Sequence, residues 1–398
     1  MKLLNNTFLQ ALPLIQQIEA AGFEAYFVGG SVRDALLGKE INDVDIATSA
    51  FPAEIKQIFP KTIDVGIEHG TVMVLREGES YEITTFRTES AYQDFRRPDK
   101  VEFVRSLEED LKRRDFTVNA LAMDKTGRIM DYFNGQEDLK NGLIKAVGSP
   151  QERFHEDALR MMRAVRFVSQ LGFTMEFNTQ EAIAQHQALL EKISVERIAI
   201  EFMKLLQGKG RSKGLLMFME TGLYQYCPGL AAYRSELLQF AQFQGDLTTR
   251  LSAWTMLIYH LGIPTTEVTS FLKGWKCSNK EMQTVLLAVE TLRARIDHSF
   301  TALELYRSGL DIALEVEDMV AKLQLPADRA SVRSRYEQLA IKSKKDMEIT
   351  GNDILTVLAA KPGKWLGELL DEIERLIVDG KLENKNETIL AWIKNNHK

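Results

Sequence analysis

The sequence predicts an α+β protein in which a mixed β-sheet head is followed by an all-α neck, body and tail. Three observations carry this. Between Ala25 and about Gly148, short β-rich runs alternate with turns, as in "AYFVGG", "DVDIAT", "TIDVG" and "TVMVLREGESYEITTFR", whose "EGES" reads as a hairpin turn. Beyond Pro150 the apolar residues recur at helical spacing: in "SVERIAIEFMKLLQG", Ile198, Phe202, Leu205 and Leu206 fall at i, i+4, i+7 and i+8. A chain of 398 residues with 45% hydrophobic content can bury a sizeable core spread over roughly two to four domains. The expected divisions are a head over 1–148, a neck over 149–210, a body over 211–325 and a tail over 326–398.

The individual elements follow from local signals. "MKLLNNTFLQALPLIQQIEAAGF" alternates apolar and polar groups at helical spacing and has no uninterrupted apolar core, so it reads as an amphipathic helix and not a signal peptide. Joints between helices are expected where Gly, Pro and polar residues cluster, at "QGKGRSKG", "YCPGL", "FQGDLTTR", "KLQLPADRA" and "AAKPGKW". No apolar run is long enough to span a bilayer. Cys227 and Cys277 have no metal-ligand or disulfide-framework spacing, which fits a reducing, cytoplasmic setting. A net charge of -6 argues against non-specific coating of nucleic acid, so a polyanionic partner must meet a local basic patch. No protein partner is implied. The six histidines show no metal spacing, and His69 in "EHGTV" reads as a turn or core-edge residue.

The chemistry concentrates in the head and the start of the neck. "AYFVGG" runs into "VRDALLG", so the backbone N–H groups of Gly29, Gly30 and Ser31 can face an anion at a helix start with no Cβ in the way. Twelve residues after Gly30 comes "DVDIAT", where period-two geometry points Asp43 and Asp45 to the same strand face. Two neighbouring carboxylates repel unless a cation sits between them. A pair of Mg²⁺ ions, typically about 3.5–4 Å apart, would relieve that repulsion and serve an in-line phosphoryl or nucleotidyl displacement. The bland alternative makes Asp43 a turn cap and Asp45 a solvated edge residue. Further along, "LKRRDFTVNALAMD" brings Arg113, Arg114, Asp115 and Asn119 together, the mix of cation, carboxylate and amide that a ribose and its phosphates need. "RFHEDALRMMRAVRF" reads as one helix with Asp157 and Arg160 three apart on one face. A carboxylate only accepts and a guanidinium only donates, so the pair complements an exocyclic amine beside an unprotonated ring nitrogen. Cytosine and adenine present that edge; uracil and guanine present a carbonyl beside a ring N–H and oppose both groups.

Gly29-Gly30 followed by Asp43-x-Asp45 resembles the nucleotidyltransferase superfamily of DNA polymerase β, and "GGSVRDALLGKEINDVDIAT" is closer still to the class II, bacterial-type CCA-adding tRNA nucleotidyltransferases and their poly(A) polymerase relatives. The resemblance implies a nucleotidyltransferase-type head, template-independent addition and repair of the tRNA 3′-terminal CCA from CTP and ATP, and Mg²⁺ held by Asp43 and Asp45. It implies a third carboxylate on a neighbouring strand, for which Glu82 in "YEITTFR" is the candidate. It implies nucleotide binding by Gly29, Gly30 and Arg33, ribose selection by Arg114, Asp115 and Asn119, and a base-reading "EDxxR" in Asp157 and Arg160, with Arg163 and Arg166 beside them. "DYFNGQEDL" matches a further segment of the family, expected to be structural through Asp131 and Gly135. The polar "TESAYQDFRRPDKVEF", with Arg96 and Arg97, resembles the flexible loop that helps switch specificity from C to A. Glu196 and Arg197 are expected to brace the neck. In the tail, Arg329, Arg333, Arg335, Lys342, Lys344 and Lys345 are expected to reach tRNA phosphates. A poly(A) polymerase or CC-adding enzyme of the same family is the nearest alternative, and a catalytically idle RNA-binding module the remote one.

Overall fold

The computed structural model describes residues 4–41, 43–93 and 97–397, with backbone alone for 89–93 and 97–101. The chain forms two compact units, Met1–Ala241 and Gln242–Lys398. In the first, α1 (Asn6–Ala20) is followed by β1 (Ala25–Val28), α2 (Gly30–Leu36), β2 (Asp45–Thr48), α3 (Pro52–Ile58), β3 (Thr62–Gly66), β4 (Thr71–Arg76) and β5 (Glu79–Thr85). Then come β6 (Arg87–Gln93), β7 (Arg97–Phe103), α4 (Leu107–Lys112), β8 (Leu121–Met123), β9 (Ile129–Asp131), α5 (Gly135–Asn141) and β10 (Leu143–Ile144). The helical part of this unit holds α6 (Pro150–Glu156), α7 (Leu159–Leu171), the short β11 (Thr174–Met175), α8 (Phe177–His186), α9 (Val195–Leu206), α10 (Arg211–Glu220) and α11 (Arg234–Gln242).

Seven strands form one mixed sheet in the order β3-β4-β5-β2-β1-β8-β9, with β2 and β5 parallel and the other described pairs antiparallel. Register sorts the residues into rows. Val72, Ile83, Ile46, Phe27 and Met123 lie across from one another, and all are fully buried. Helix α1 supplies Phe8 to that face, its ring 4.8 Å from Phe27. The adjacent row points the other way and runs Ile63, Met73, Glu82, Asp45, Val28, Ala122, since Asp45 and Glu82 each precede the paired Ile46 and Ile83 by one residue. A second core of Val28, Ala47, Phe86, Leu107, Leu111, Ala120, Ala122 and Val147 covers only one half of that face. The predicted turn between β4 and β5 is Glu77-Gly78, with φ of +53° and +90°, the left-handed pair that a two-residue hairpin needs.

Three sequence expectations change here. The polar segment expected as a loop contains two antiparallel strands, β6 and β7, which pair with each other in a separate two-stranded ribbon, and its tip with Arg96 lies outside the described residues. Asp43 precedes β2 instead of lying within it. The expected single helix across Asp157 is broken: Asp157 is extended (φ -137°, ψ 102°) after α6, and its Oδ1 accepts the Leu159 N–H at 3.0 Å to start α7. The Asp131 segment is structural as expected. Its carboxylate accepts backbone N–H groups of Phe133, Gly135 and Gln136, and a Cβ at Gly135 would overlap the Thr117 carbonyl oxygen.

The second unit is helical among its described residues: α12 (Arg250–His260), α13 (Thr265–Gly274), α14 (Asn279–Asp297), α15 (Ala302–Lys322), α16 (Arg329–Glu337), α17 (Gly351–Leu358), α18 (Lys364–Val378) and α19 (Asn386–Asn396). The predicted joints coincide with breaks between helices, except that the second half of "QGKGRSKG", Arg211 to Gly214, is already the first turn of α10. Helix α15 bends at Gly309, whose φ of +69° is non-helical. The final helices close on Ile354, Ile373, Ile377, Ile389 and Ile393, each fully buried. Among the described residues no helix is long and apolar enough to cross a membrane.

Candidate active site

Gly29, with φ of +72°, turns β1 into α2 and lies close under two side chains: a Cβ there would sit 3.1 Å from an Arg114 guanidinium nitrogen and 3.8 Å from Asp45 Oδ2. The bare backbone thus leaves Arg114 and Asp45 together at the turn. The Gly29 N–H is itself taken by the Leu121 carbonyl at 3.4 Å, leaving Gly30 and Ser31 as the first helical N–H groups. Asp45 stands between Asp43 and Glu82. Its carboxyl is pushed up by burial and then by the Glu82 charge, with Arg114 opposing and Asp43 adding to the rise. Packing around Asp45 desolvates its carboxyl in part, yet Asp43, Asp45 and Glu82 all keep solvent-exposed surface through which a ligand can reach the charge.

From this edge a cavity of about 970 Å³ extends to α7 and α9. Its lining gathers Gly29, Gly30, Arg33, Asp43, Asp45, Arg114, Asp115, Asn119, Asp157, Arg160, Arg163 and Arg166. Every predicted site residue except Glu82 is therefore in one cavity, and Glu82 acts on Asp45 from the next strand. Nine basic side chains and four carboxylates line it among the described residues, so a chain of net charge -6 holds a strongly cationic pocket suited to a triphosphate.

Asp115 is the hub. Its Oδ2 accepts Arg163 Nε at 2.7 Å, and its Oδ1 accepts Asn119 Nδ2 at 3.1 Å and the Phe116 N–H at 2.8 Å. Burial would raise the carboxyl, but Arg163, Asn119 and Arg160 override it and hold it at about 2. Asn119 Oδ1 in turn accepts Arg33 at 2.6 Å. Behind them Arg166 and Glu201, both buried, form an ion pair at 3.1 Å, and burial lowers Arg166 to about 10. Arg33, Arg163 and Arg166 also converge on the Phe167 ring, Arg166 at 4.0 Å.

Asp157 and Arg160 face the cavity already engaged. Asp157 Oδ2 accepts Arg197 at 2.9 Å. Arg160 donates to the Glu156 carboxylate at 2.5 Å, to the Arg153 carbonyl at 3.2 Å and to the Arg113 carbonyl at 2.9 Å. Arg197 braces the neck as expected. Glu196, however, is exposed, and the buried bracing carboxylate is Glu201 one turn on. Sequence reasoning also passed over Arg87, Gln170, Lys204 and His69 as cavity walls. Of the tail cations, Arg329 pairs with Asp318, Arg335 with the Phe300 carbonyl, Lys344 with Asp371 and Lys342 with the Glu337 carbonyl. Intrachain bonds thus compete for four of the six groups expected to reach tRNA.

A mixed-sheet head with carboxylates bordering a cationic nucleotide-sized cavity defines the class, a nucleotidyltransferase. Comparisons place it more narrowly. Residues 25–145 match the family described as the poly A polymerase head domain, 172–234 the probable RNA and SrmB-binding site of polymerase A, and 246–393 the putative tRNA nucleotidyltransferase domain 2. The chain is 55% identical to the CCA-adding enzyme of Enterococcus faecalis, over 98% of this chain and 96% of that protein. It is 52% identical to that of Ligilactobacillus salivarius, over 96% and 95%. The crystal structure of the Bacillus stearothermophilus CCA-adding enzyme in complex with CTP superposes with a TM-score of 0.91 at 44% identity, covering 98% of both chains. The chain belongs to the family of CCA-adding enzymes.

Proposed function

We propose that this chain adds and repairs the 3′-terminal CCA of tRNA in the cytoplasm, taking CTP and ATP with no nucleic-acid template. One observation supports the site reading: a single cationic cavity is lined both by the carboxylate edge at Asp45 and by the Asp157–Arg160 pair, so one bound nucleotide can meet both sets of groups. The 3′-hydroxyl of the RNA attacks the α-phosphorus, the new O–P bond forms as the bond to the β-phosphate oxygen breaks, and pyrophosphate leaves. Gly30 and Arg114 hold the phosphates beside Asp45. Arg33, Asp115 and Asn119 form one bonded network that meets the ribose, and Asp157 with Arg160 reads the base edge. Arg163 and Arg166 hold the network from behind.

The carboxylates fit a divalent cation, because Asp45 bears burial and two neighbouring negative charges that only Arg114 opposes. Among the described residues no three His, Cys, Asp or Glu side chains form a ready-made cage. Mg²⁺ takes one or two protein carboxylates and fills the rest of its shell with phosphate oxygens and water. Held by Asp43 and Asp45, it would neutralise the developing charge and lower the pKa of the attacking hydroxyl, with Glu82 as the third carboxylate. The β6–β7 ribbon is the proposed element for switching from C to A.

The test is a tRNA transcript ending before CCA, incubated with CTP, ATP, UTP and GTP singly and as the CTP–ATP pair, then sequenced at its 3′ end. Two C and one A are expected from the pair. A stop at CC would assign a CC-adding enzyme, a long A tract a poly(A) polymerase, and no extension a binding module.

A further inference from the structure

The row Ile63, Met73, Glu82, Asp45, Val28, Ala122 divides at the carboxylates. On the β1 side the sheet is covered by the core of Leu107, Leu111 and Phe86. On the β4–β3 side it is open, and its residues are apolar: Ile63 is 46% and Leu75 39% exposed, Met73 lies half-buried between them, and Val65 at the adjoining bulge is 47% exposed. Single exposed aliphatics need no explanation, but a group of them spread over the edge strand β3 and its neighbour β4 invites aggregation unless something uses it.

We propose that this open half-face is the platform on which the terminal nucleotides of the RNA lie during transfer; the inference rests on the function proposed above. In-line displacement puts the attacking and leaving oxygens on opposite sides of the α-phosphorus. The leaving side is fixed by Gly29 and Arg114, which approach Asp45 from β1. The attacking side is therefore that of Glu82, and beyond Glu82 along the row stand Met73 and Ile63. The platform is continuous with the active site. Its chemistry suits its occupant: the RNA end changes identity at every addition, so its holder must accept any base, and apolar contact with ribose and base faces is sequence-tolerant where hydrogen-bond readout is not. Thr71 and Thr84, bonded to each other at 3.1 Å on the same face, leave one hydroxyl proton for a ribose or phosphate oxygen.

Because Ile63 and Leu75 are exposed, Ile63→Asp and Leu75→Asp are expected to leave the melting temperature and the equilibrium affinity for CTP unchanged. The KM for tRNA is expected to rise about tenfold or more in each, with KM for CTP unmoved, while Ile63→Val keeps the wild-type value within about twofold. An unchanged KM for tRNA overturns the platform and leaves CCA addition standing. A matching loss of CTP affinity overturns it too, since the effect would then belong to the cavity. So does a shift in oligomeric state with unchanged RNA kinetics, which would give the face to a second copy of the chain. If the wild-type protein extends no transcript, the function reading falls. Binding of a short single-stranded RNA to wild type and Leu75→Asp then decides the platform, and equal affinities overturn it.

Discussion

Two charged regions share the cavity and are built on opposite principles. Around the start of the central strand β2, Asp43, Asp45 and Glu82 form an edge of crowded like charges, and burial pushes the Asp45 carboxyl up with Arg114 opposing it. Toward the neck, each carboxylate already has its cation: Asp115 with Arg163, Asp157 with Arg197, Glu201 with Arg166. The first region is strained until a ligand arrives, and the second is finished beforehand. Catalytic groups here are held in a state that the reaction relieves, whereas recognition groups are held in a state that the substrate must match.

The sharpest way to break that contrast is to neutralise the edge. Asp45→Asn is expected to cut addition of both C and A by about a thousandfold or more, with Asp43→Asn similar. Since the change removes a repelled charge, thermal unfolding is expected at the wild-type temperature or slightly above it. Near-normal turnover with Mg²⁺ in either variant would remove the metal assignment. A clear loss of melting temperature would show that these carboxylates stabilise the fold, contrary to the comparison.

The same contrast explains what the sequence made legible. The edge is written locally: strand alternation places Asp45, and a Gly-Gly turn supplies the bare backbone beside it. Glu82 was legible only as a type of residue on a neighbouring strand, because its place next to Asp45 depends on a parallel pairing of strands 37 residues apart at Ile46 and Ile83. The neck is written in tertiary contacts. Arg197 reaches Asp157 across 40 residues, and Arg163 reaches Asp115 across 48, so no window of sequence contains either pair. The break at Asp157 was missed for a different reason: helical periodicity persists through "EDALR", and the capping capacity of an aspartate was outweighed by it.

Removing a finished pair is expected to act oppositely. Asp115→Ala leaves Arg163 facing a hole, and losing one partner of a fully buried pair costs about 3–5 kcal/mol. Because the Arg163 side chain is 34% exposed, roughly 2–4 kcal/mol is expected in chemical denaturation. Ribose discrimination, read as the ratio of kcat/KM for CTP and dCTP, is expected to shrink in the same variant; unchanged discrimination removes the ribose role. The pair also has a pH signature. The Asp115 carboxyl sits at about 2 in the folded chain against an ordinary 3.8, so its contribution is complete above about pH 5 and is lost as pH falls through 2. Asp115→Asn is expected to flatten the acid limb of stability in that window and to leave the neutral and alkaline limbs alone.

The smallest expected effect is on base choice, and it tests whether a finished pair can also read. Asp157 has two duties that must be separated: Oδ1 caps α7 through the Leu159 N–H, and Oδ2 holds Arg197. Asp157→Ala removes both along with any reading of the base, whereas Asp157→Asn keeps a capping oxygen. An asparagine also offers N–H donors in place of a carboxylate oxygen, so it pairs with the O4 carbonyl of uracil where aspartate repels it. In the wild type, UTP leaves buried polar groups opposed, at about 1–3 kcal/mol each. Asp157→Asn is therefore expected to raise kcat/KM for UTP relative to CTP by roughly 5- to 150-fold, with overall stability close to wild type. Asp157→Ala is expected to lose selectivity and stability together. Full rejection of UTP by both variants, with CCA addition intact, would show that Asp157 serves only to cap α7 and hold Arg197, and that the base is chosen elsewhere in the cavity.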